Sequence, residues 1–249
     1  GFFGEKLADD LAQYDIVIAR HVFCHVDDWQ DFVRGLESVS HLETLTVIEV
    51  PYAGNTLQHC EWDTVYHEHL SYLSLKSVAD LLEPTSLRIH RIIHYPIHGG
   101  AAALMLRNKD SAKKNEIEFT ENITAEDWYR FADRAYDNIG KLKAMVAMLK
   151  VQGKRVAGLG ASAKSTVWIS ACKFTRKDID FITDTTPQKL YTVSPGTDIP
   201  IVDEGAILRE LPDYVIIFAW NYLAECLEKF KLAREKGVQF IVPVPELQI

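Results

Sequence analysis

The 249-residue sequence is poor in cysteine, in positive charge and in long apolar runs. Its net charge is −8, whereas non-specific binding of nucleic acid or of an anionic membrane usually requires a basic surface. We therefore expect neither as a partner. No apolar run approaches the roughly 18 residues that would span a bilayer. The cysteines are scattered without CxxC spacing, which predicts no zinc site and no disulfide framework and is typical of the reducing cytoplasm. They are Cys24, Cys60, Cys172 and Cys226.

An initiator methionine is also lacking, and the chain enters at once a helix-like pattern followed by a strand, GFFGEKLADDL and DIVIAR. A helix and then a strand at this point resemble the middle of an α/β domain. We therefore expect that a further segment precedes Gly1.

The N-terminal part predicts half of a mixed α/β sheet that ends in an antiparallel hairpin. The hairpin consists of LRIHRIIHYPI and AALMLRN, joined by HGG at 98–100. Asp27 or Asp28 is expected to cap the second helix. The other predicted elements are helices over 6–13, 29–39 and 77–83 and strands over 15–19 and 45–50.

The C-terminal part predicts a second α/β unit. A charged linker over 108–121 leads into a long amphipathic helix over 125–152, and strands then alternate with helices from KRVAGLGASAKSTVWIS to FIVPV. This alternation predicts parallel pairing in a small Rossmann-like fold. The sequence thus predicts three parts, over 1–107, 108–150 and 151–249.

The turn GLGASAKS is a candidate anion site, because Gly158 and Gly160 follow a strand and Lys164 lies in the first helical turn. A tight turn for helix–strand packing explains the same glycines. Asp184 ends the next strand, as a dinucleotide site requires, so an NAD(P)-dependent oxidoreductase is one alternative function. Asn221, in AWNY, follows another strand and could bind a ligand or cap the next helix.

The stretch DTVYHEHLSY is a candidate proton-transfer site. It follows the second predicted strand, and His25 follows the first, so the two can meet at one edge of a parallel sheet. A histidine base, a carboxylate that orients it and a phenol that shares an oxyanion suit removal of a proton next to a carbonyl; here they would be His69, Glu68 and Tyr66. Zinc is less favoured, because HEH lacks the i, i+4 spacing that a helix presents to a metal.

Taken together, these motifs resemble the sugar C-methyltransferases, which use S-adenosylmethionine to methylate a carbon of a nucleotide-linked keto-deoxysugar. The resemblance runs in order along nearly the whole chain, through ARHVFCH, IEVPY, DTVYHEHLSYLS, HGG, VAGLGASAK, DTTPQK, SPGTDIPI, AWNY and FIVPVPE. It implies that 1–107 is the second half of a class I methyltransferase domain with a Rossmann-like sheet. It also implies that 108–150 is a linker and long helix, and that 151–249 is a C-terminal Rossmann-like domain facing the nucleotide-sugar.

The resemblance also implies roles for individual residues. His69 matches the general base of a YxEH motif, Tyr66 and Glu68 are its companions, and His25 is a second active-site histidine. Arg20 and His21 would contact S-adenosylmethionine. The substrate would contact Gly158, Gly160, Lys164 and Asn221. Zinc would belong only to a separate N-terminal module with no counterpart in this sequence. A non-catalytic protein that binds nucleotide-sugars is a further alternative.

Overall fold

The computed structural model describes residues 2–95, 100–113, 117 and 120–249, which form two compact units. The N-terminal unit comprises Gly1–Gln58 and His67–Asp127, and the C-terminal unit comprises His59–Tyr66 and Trp128–Ile249. The segment His59–Tyr66 therefore belongs to the C-terminal unit although it is flanked in the sequence by residues of the other. Among the described residues, no helix combines the length and apolarity that a bilayer crossing requires.

The N-terminal unit contains a four-stranded mixed sheet in the order β1-β2-β4-β3. β1 and β2 are parallel, with Arg20 opposite Glu49, and β4 pairs antiparallel with both β2 and β3. The predicted half-sheet with a terminal hairpin is confirmed, although residues 98 and 99 of its expected HGG connection lie outside the described part of the chain. The elements are α1 (Glu5–Ala8), β1 (Tyr14–Arg20), α2 (Trp29–Ser38), β2 (Ser40–Pro51), α3 (Ala53–His59), α4 (Leu75–Leu82), β3 (Leu87–Tyr95) and β4 (Ala101–Asn108).

Two predictions about the helices of this unit were wrong. The first helix ends at Ala8 and not at 13, because Ala8 is its buried residue and the chain from Asp9 onward is exposed. Burial of one face supplies most of a short helix's stability, so a helix ends where burial ends. α3 was not predicted, since its Gly54 and Asn55 are poor helix formers.

The core of the N-terminal unit forms between the sheet and the apolar faces of α2 and α4. In α4, Leu75, Val78 and Leu82 recur at helical spacing, and a capping box formed by Ser74 and Ser77 starts the helix. β1 is different, because Ile16 and Ile18 are 61% and 62% exposed. Among the described residues, β1 pairs with β2 alone, and this strand is an edge of the sheet.

The C-terminal unit contains a five-stranded parallel sheet in the order β7-β6-β5-β8-β9, which confirms the predicted Rossmann-like fold. The long helix is also confirmed and ends at Val151. Because all the strands are parallel, their carboxyl ends lie at one edge of the sheet. The elements are α5 (Ala125–Val151), β5 (Val156–Leu159), α6 (Ala163–Cys172), β6 (Ile182–Asp184), β7 (Ile201–Asp203), α7 (Ala206–Glu210), β8 (Tyr214–Ile217), α8 (Leu223–Lys229), α9 (Lys231–Glu235) and β9 (Gln239–Ile241).

Candidate active site

The loop after β1 carries the first candidate residues of the N-terminal unit. The chain turns sharply at His21, which has φ +48°, a left-handed conformation that is uncommon outside glycine. A short 3₁₀ helix, Phe23–His25, follows. Phe23 is fully buried in the core and anchors this turn, whereas His25 is exposed at the carboxyl end of the sheet.

The structure brings His25 and His69 together. Their imidazole ring centroids are 5.1 Å apart, with the ring planes inclined at 48°. The two segments are tied through the backbone, because the amides of Leu70 and Ser71 both donate to the carbonyl oxygen of Cys24, at 2.9 and 3.3 Å. The pair is therefore held by main-chain geometry at the edge where the parallel strands β1 and β2 end.

The imidazole of His25 is oriented by a backbone carbonyl. Its Nδ1 lies 2.5 Å from the carbonyl oxygen of Glu68. Because a carbonyl oxygen can only accept, Nδ1 carries the proton, and in the neutral imidazole Nε2 then has the lone pair. The sequence had suggested that the carboxylate of Glu68 orients a histidine. The carbonyl oxygen of Glu68 orients His25, and Glu68 is an exposed residue. A role of its carboxylate beside His69 stays a prediction.

Tyr66, the expected phenol, is half-buried and belongs to the C-terminal unit. Arg20 and His21, the expected cofactor residues, both contact Glu49 at the end of β2. The guanidinium Nε of Arg20 lies 3.2 Å from one carboxylate oxygen, and Nε2 of His21 lies 2.8 Å from the other. Glu49 is buried, but the Arg20 side chain is 62% exposed, which leaves a cationic group accessible beside a carboxylate.

In the C-terminal unit, Lys164 lies inside a cluster of buried charges and indoles. Its ammonium is 3.8 Å from the centre of the Trp220 ring and is shielded from solvent. The carboxylate of Asp63 accepts hydrogen bonds from the indole N–H of Trp168 at 3.0 Å and of Trp220 at 2.7 Å. Burial lowers the pKa of Lys164, while Asp63 and Glu61 favour its charged form.

This placement changes the expectation for Lys164. Asp63 and Glu61 favour the charged form of Lys164, and the Trp220 ring lies over its ammonium. The lysine therefore supports the indole from within the unit and does not present its ammonium at the surface. Its contact with a substrate anion stays a prediction.

The two glycines of the turn have packing roles. A Cβ on Gly158 would lie 2.9 Å from the ring of Phe218, so a side chain cannot be accommodated without a shift. Gly160 has φ +93°, and a Cβ there would meet the Cβ of Ala219 at 2.9 Å. The tight-turn interpretation thus accounts for both residues, and a ligand role for them stays a prediction.

Asn221 lies in a 3₁₀ turn, Trp220–Tyr222, directly after β8. The suggestion that it caps the following helix was wrong, because α8 begins at Leu223 with Tyr222 as its N-cap residue and has no side-chain cap. Asn221 therefore remains available as a ligand-binding residue near the carboxyl end of the sheet.

Asp184 ends β6 as predicted, but its carboxylate is engaged. It accepts from the backbone amide of Thr186 at 2.8 Å and lies 3.4 Å from the ammonium of Lys189, which also donates to the carbonyl oxygen of Ala161 at 2.8 Å. Burial alone would raise the pKa of Asp184, but these hydrogen bonds bring it below its ordinary value. Lys189 thus links the end of β6 to the glycine turn. It engages the carboxylate of Asp184, to which the ribose of a dinucleotide would have to bind.

Comparisons with known proteins agree with this architecture. A family model described as a methyltransferase domain matches residues 1–91, and one described as a C-methyltransferase C-terminal domain matches residues 96–245. The C-methyltransferase NovU of Streptomyces niveus is 32% identical over 257 residues, which cover 99% of this chain and 61% of NovU. The match over residues 96–245 shows that the chain belongs to the C-methyltransferase family. The chain spans about three fifths of the length of NovU.

Asp63, Trp168 and Trp220 were not identified from the sequence. Asp63 was quoted in DTVYHEHLSY, but nothing in the stretch indicates that its partners lie 105 and 157 residues away. The only available signal was weak: an aspartate among aromatic residues must find hydrogen-bond donors if it is buried.

Proposed function

We propose that this protein takes part in S-adenosylmethionine-dependent C-methylation of a nucleotide-linked keto-deoxysugar, with His69 as the general base. The observation that carries the proposal is the pairing of His69 with His25 at the carboxyl ends of β1 and β2. Membership of the C-methyltransferase family supports the reaction class. The resemblance of its motifs to those of the sugar C-methyltransferases supports a sugar as the substrate.

The reaction requires a base beside a carbonyl. Unprotonated His69 would take the proton from the carbon next to the keto group, and the electron pair of the broken C–H bond would form an enolate. His25 donates its Nδ1 proton to the carbonyl oxygen of Glu68. The lone pair on its Nε2 makes it the alternative base. In this proposal Tyr66 steadies the enolate oxygen.

Arg20 and His21 are proposed to hold the cofactor. The accessible guanidinium of Arg20 and the carboxylate of Glu49 offer opposite charges, which suit the zwitterionic amino-acid end of S-adenosylmethionine. When bound, S-adenosylmethionine supplies an electrophilic methyl group. The role of the protein is to keep the enolate carbon in line with that group and to exclude water.

The C-terminal unit is proposed to bind the nucleotide-sugar. Asn221 and the turn with Gly158 and Gly160 lie at the carboxyl ends of β5 and β8, the usual position of ligands in open parallel sheets. Lys164 would contribute by supporting Trp220. An NAD(P)-dependent oxidoreductase is less favoured, since the ribose-binding aspartate that it requires, Asp184, is bound to Lys189.

Solvent deuterium exchange of the acidic sugar proton tests the base directly, because this step needs no methyl donor. We expect His69→Asn to slow exchange by about 100- to 10,000-fold, since asparagine keeps a similar bulk but cannot accept the proton. His67→Asn is the matched control, because His67 is an exposed histidine two positions away. NMR of a nucleotide-linked keto-deoxysugar in deuterated buffer measures both rates.

Each of the other outcomes has a defined meaning. If His69→Asn exchanged at the wild-type rate, His69 would not be the base and His25 would replace it. If the wild-type protein bound the nucleotide-sugar but exchanged no proton, the non-catalytic alternative would be supported.

A further inference from the structure

Cys24 adds a third ligand atom to the histidine pair. The thiol sulfur of Cys24 and one ring nitrogen each of His25 and His69 all lie within 4.8 Å of one another. Cys24 is 2% exposed, His69 is half-buried and His25 is exposed, so the cluster is closed on the sulfur side and open on the other. Cys24 and His25 are neighbours in the sequence but His69 lies 44 residues further on, and cysteine spacing alone therefore predicted no zinc site.

The backbone orients the imidazole of His25 and joins the two segments that carry the three residues. The Nδ1 proton of His25 is donated to the carbonyl oxygen of Glu68, which leaves the lone pair of Nε2 as the metal ligand. Histidines that bind metals usually have this second hydrogen bond, because it fixes the tautomer and the ring orientation. The backbone bonds from Leu70 and Ser71 to the carbonyl of Cys24 hold the two segments together.

The separation of these atoms is close to what a tetrahedral ion requires. Zinc binds sulfur at about 2.3 Å and imidazole nitrogen at about 2.0–2.1 Å, so neighbouring ligands are roughly 3.3–3.6 Å apart. A spacing below 4.8 Å therefore needs only side-chain adjustments on the order of 1 Å. One thiolate and two imidazoles favour zinc and similar ions over magnesium or calcium, which prefer oxygen ligands.

We propose that Cys24, His25 and His69 form a binding site for one thiophilic divalent cation such as zinc, and that the bound cation inhibits proton transfer. On binding, the Cys24 thiol gives up its proton to solvent and its sulfur bonds to the ion. The lone pair that His69 gives to the ion is then not available to a substrate proton. The inhibition rests on the proposed function, whereas the binding does not.

Titration of the chain with Co²⁺ and Zn²⁺ tests the site. We expect one equivalent of Co²⁺ to produce a thiolate-to-cobalt absorption band, and Zn²⁺ to displace it. Cys24→Ser should abolish the band, and His25→Gln should weaken Zn²⁺ binding about tenfold or more. Cys226→Ser is the matched control, because Cys226 is a half-buried free cysteine of the other unit, and it should bind like the wild type.

Circular dichroism of each variant separates loss of the site from loss of the fold, and Cys24→Ala is a second variant if Cys24→Ser unfolds. A full cobalt band in folded Cys24→Ser or Cys24→Ala, or equal competition by Mg²⁺, would overturn the site.

The deuterium-exchange assay tests inhibition separately. Saturating Zn²⁺ should slow the exchange, and a chelator should restore it. Unchanged exchange in the zinc-loaded protein would overturn the inhibition but leave the site. A wild-type protein without any exchange would instead count against the proposed function, while the cobalt titration would still decide whether the site exists.

Discussion

Glu61 shows how burial sets the chemistry of one side chain. It is 2% exposed, and its carboxylate lies 3.4 Å from Nδ1 of His59. Burial raises the pKa of Glu61 to about 7, although Lys164 and His59 favour its charged form and limit the rise. Burial therefore keeps the carboxyl of Glu61 protonated to a higher pH than that of an exposed glutamate.

We expect this raised pKa to make stability depend on pH. Because the folded pKa is above the ordinary value of 4.5, ionisation disfavours the folded state, and the stabilising effect of protonated Glu61 is lost as pH rises from about 4.5 through 7. The rise of the Glu61 pKa from 4.5 to about 7 corresponds to a change of at most roughly 3 kcal/mol in the free energy of unfolding. Urea unfolding of Glu61→Gln across this range should give a flatter curve than the wild type. Parallel curves would show that Glu61 does not titrate with a raised pKa.

The helices and strands show where local pattern was sufficient. β1, α2 and α5 were predicted within a few residues, since a buried apolar run or helical spacing marks each of them. For the cap of α2 the sequence offered two neighbouring aspartates. The structure selects Asp28, whose carboxylate accepts from the amide of Asp31 at 2.9 Å.

Substitution of the two aspartates should separate the capping residue from its neighbour. Asp28→Ala leaves an amide of the first turn without its acceptor and should lower the free energy of unfolding by about 1 kcal/mol. Asp27 accepts from the amide of Asp28 at 3.0 Å, which lies outside the helix, and Asp27→Ala is the control with a smaller expected effect. Thermal or urea unfolding compares the two, and a larger loss in Asp27→Ala would assign the cap to Asp27.

At the scale of the whole molecule, each of the two units is built from two separate segments of the chain. The segment His59–Tyr66 lies between residues of the N-terminal unit but packs in the C-terminal unit. Asp63 holds it there as the acceptor of two indole N–H groups, and α6 contacts the short helix Trp62–Thr64 that contains Asp63. A residue near the YHEH motif thus contributes to the stability of the distant C-terminal unit.

Hydrogen exchange can show which unit depends on Asp63. Asp63→Ala removes the shared acceptor of Trp168 and Trp220 and a counterion of Lys164, at a cost on the order of 1–3 kcal/mol. We expect faster amide exchange in α6, with the β1–β4 sheet unchanged. Glu68→Ala is the control, because Glu68 is exposed and its backbone contact is retained. Faster exchange confined to the β1–β4 sheet would assign the segment to the N-terminal unit.

The sequence by itself determined both α/β units, the antiparallel hairpin, the long helix and the family. These follow from local periodicity and from ordered motifs, which act over a few neighbouring residues. It also indicated that His25 and His69 could meet, because parallel neighbouring strands end at one edge of a sheet.

Only the tertiary structure decided which atoms meet. The carbonyl of Glu68 orients His25, Lys164 lies buried near Asp63 and Glu61, and the Cys24 thiol lies beside the two histidines. Such contacts join residues far apart in the chain. Their partners are fixed by packing and by the need to satisfy each buried polar group, and neither leaves a local pattern in the sequence.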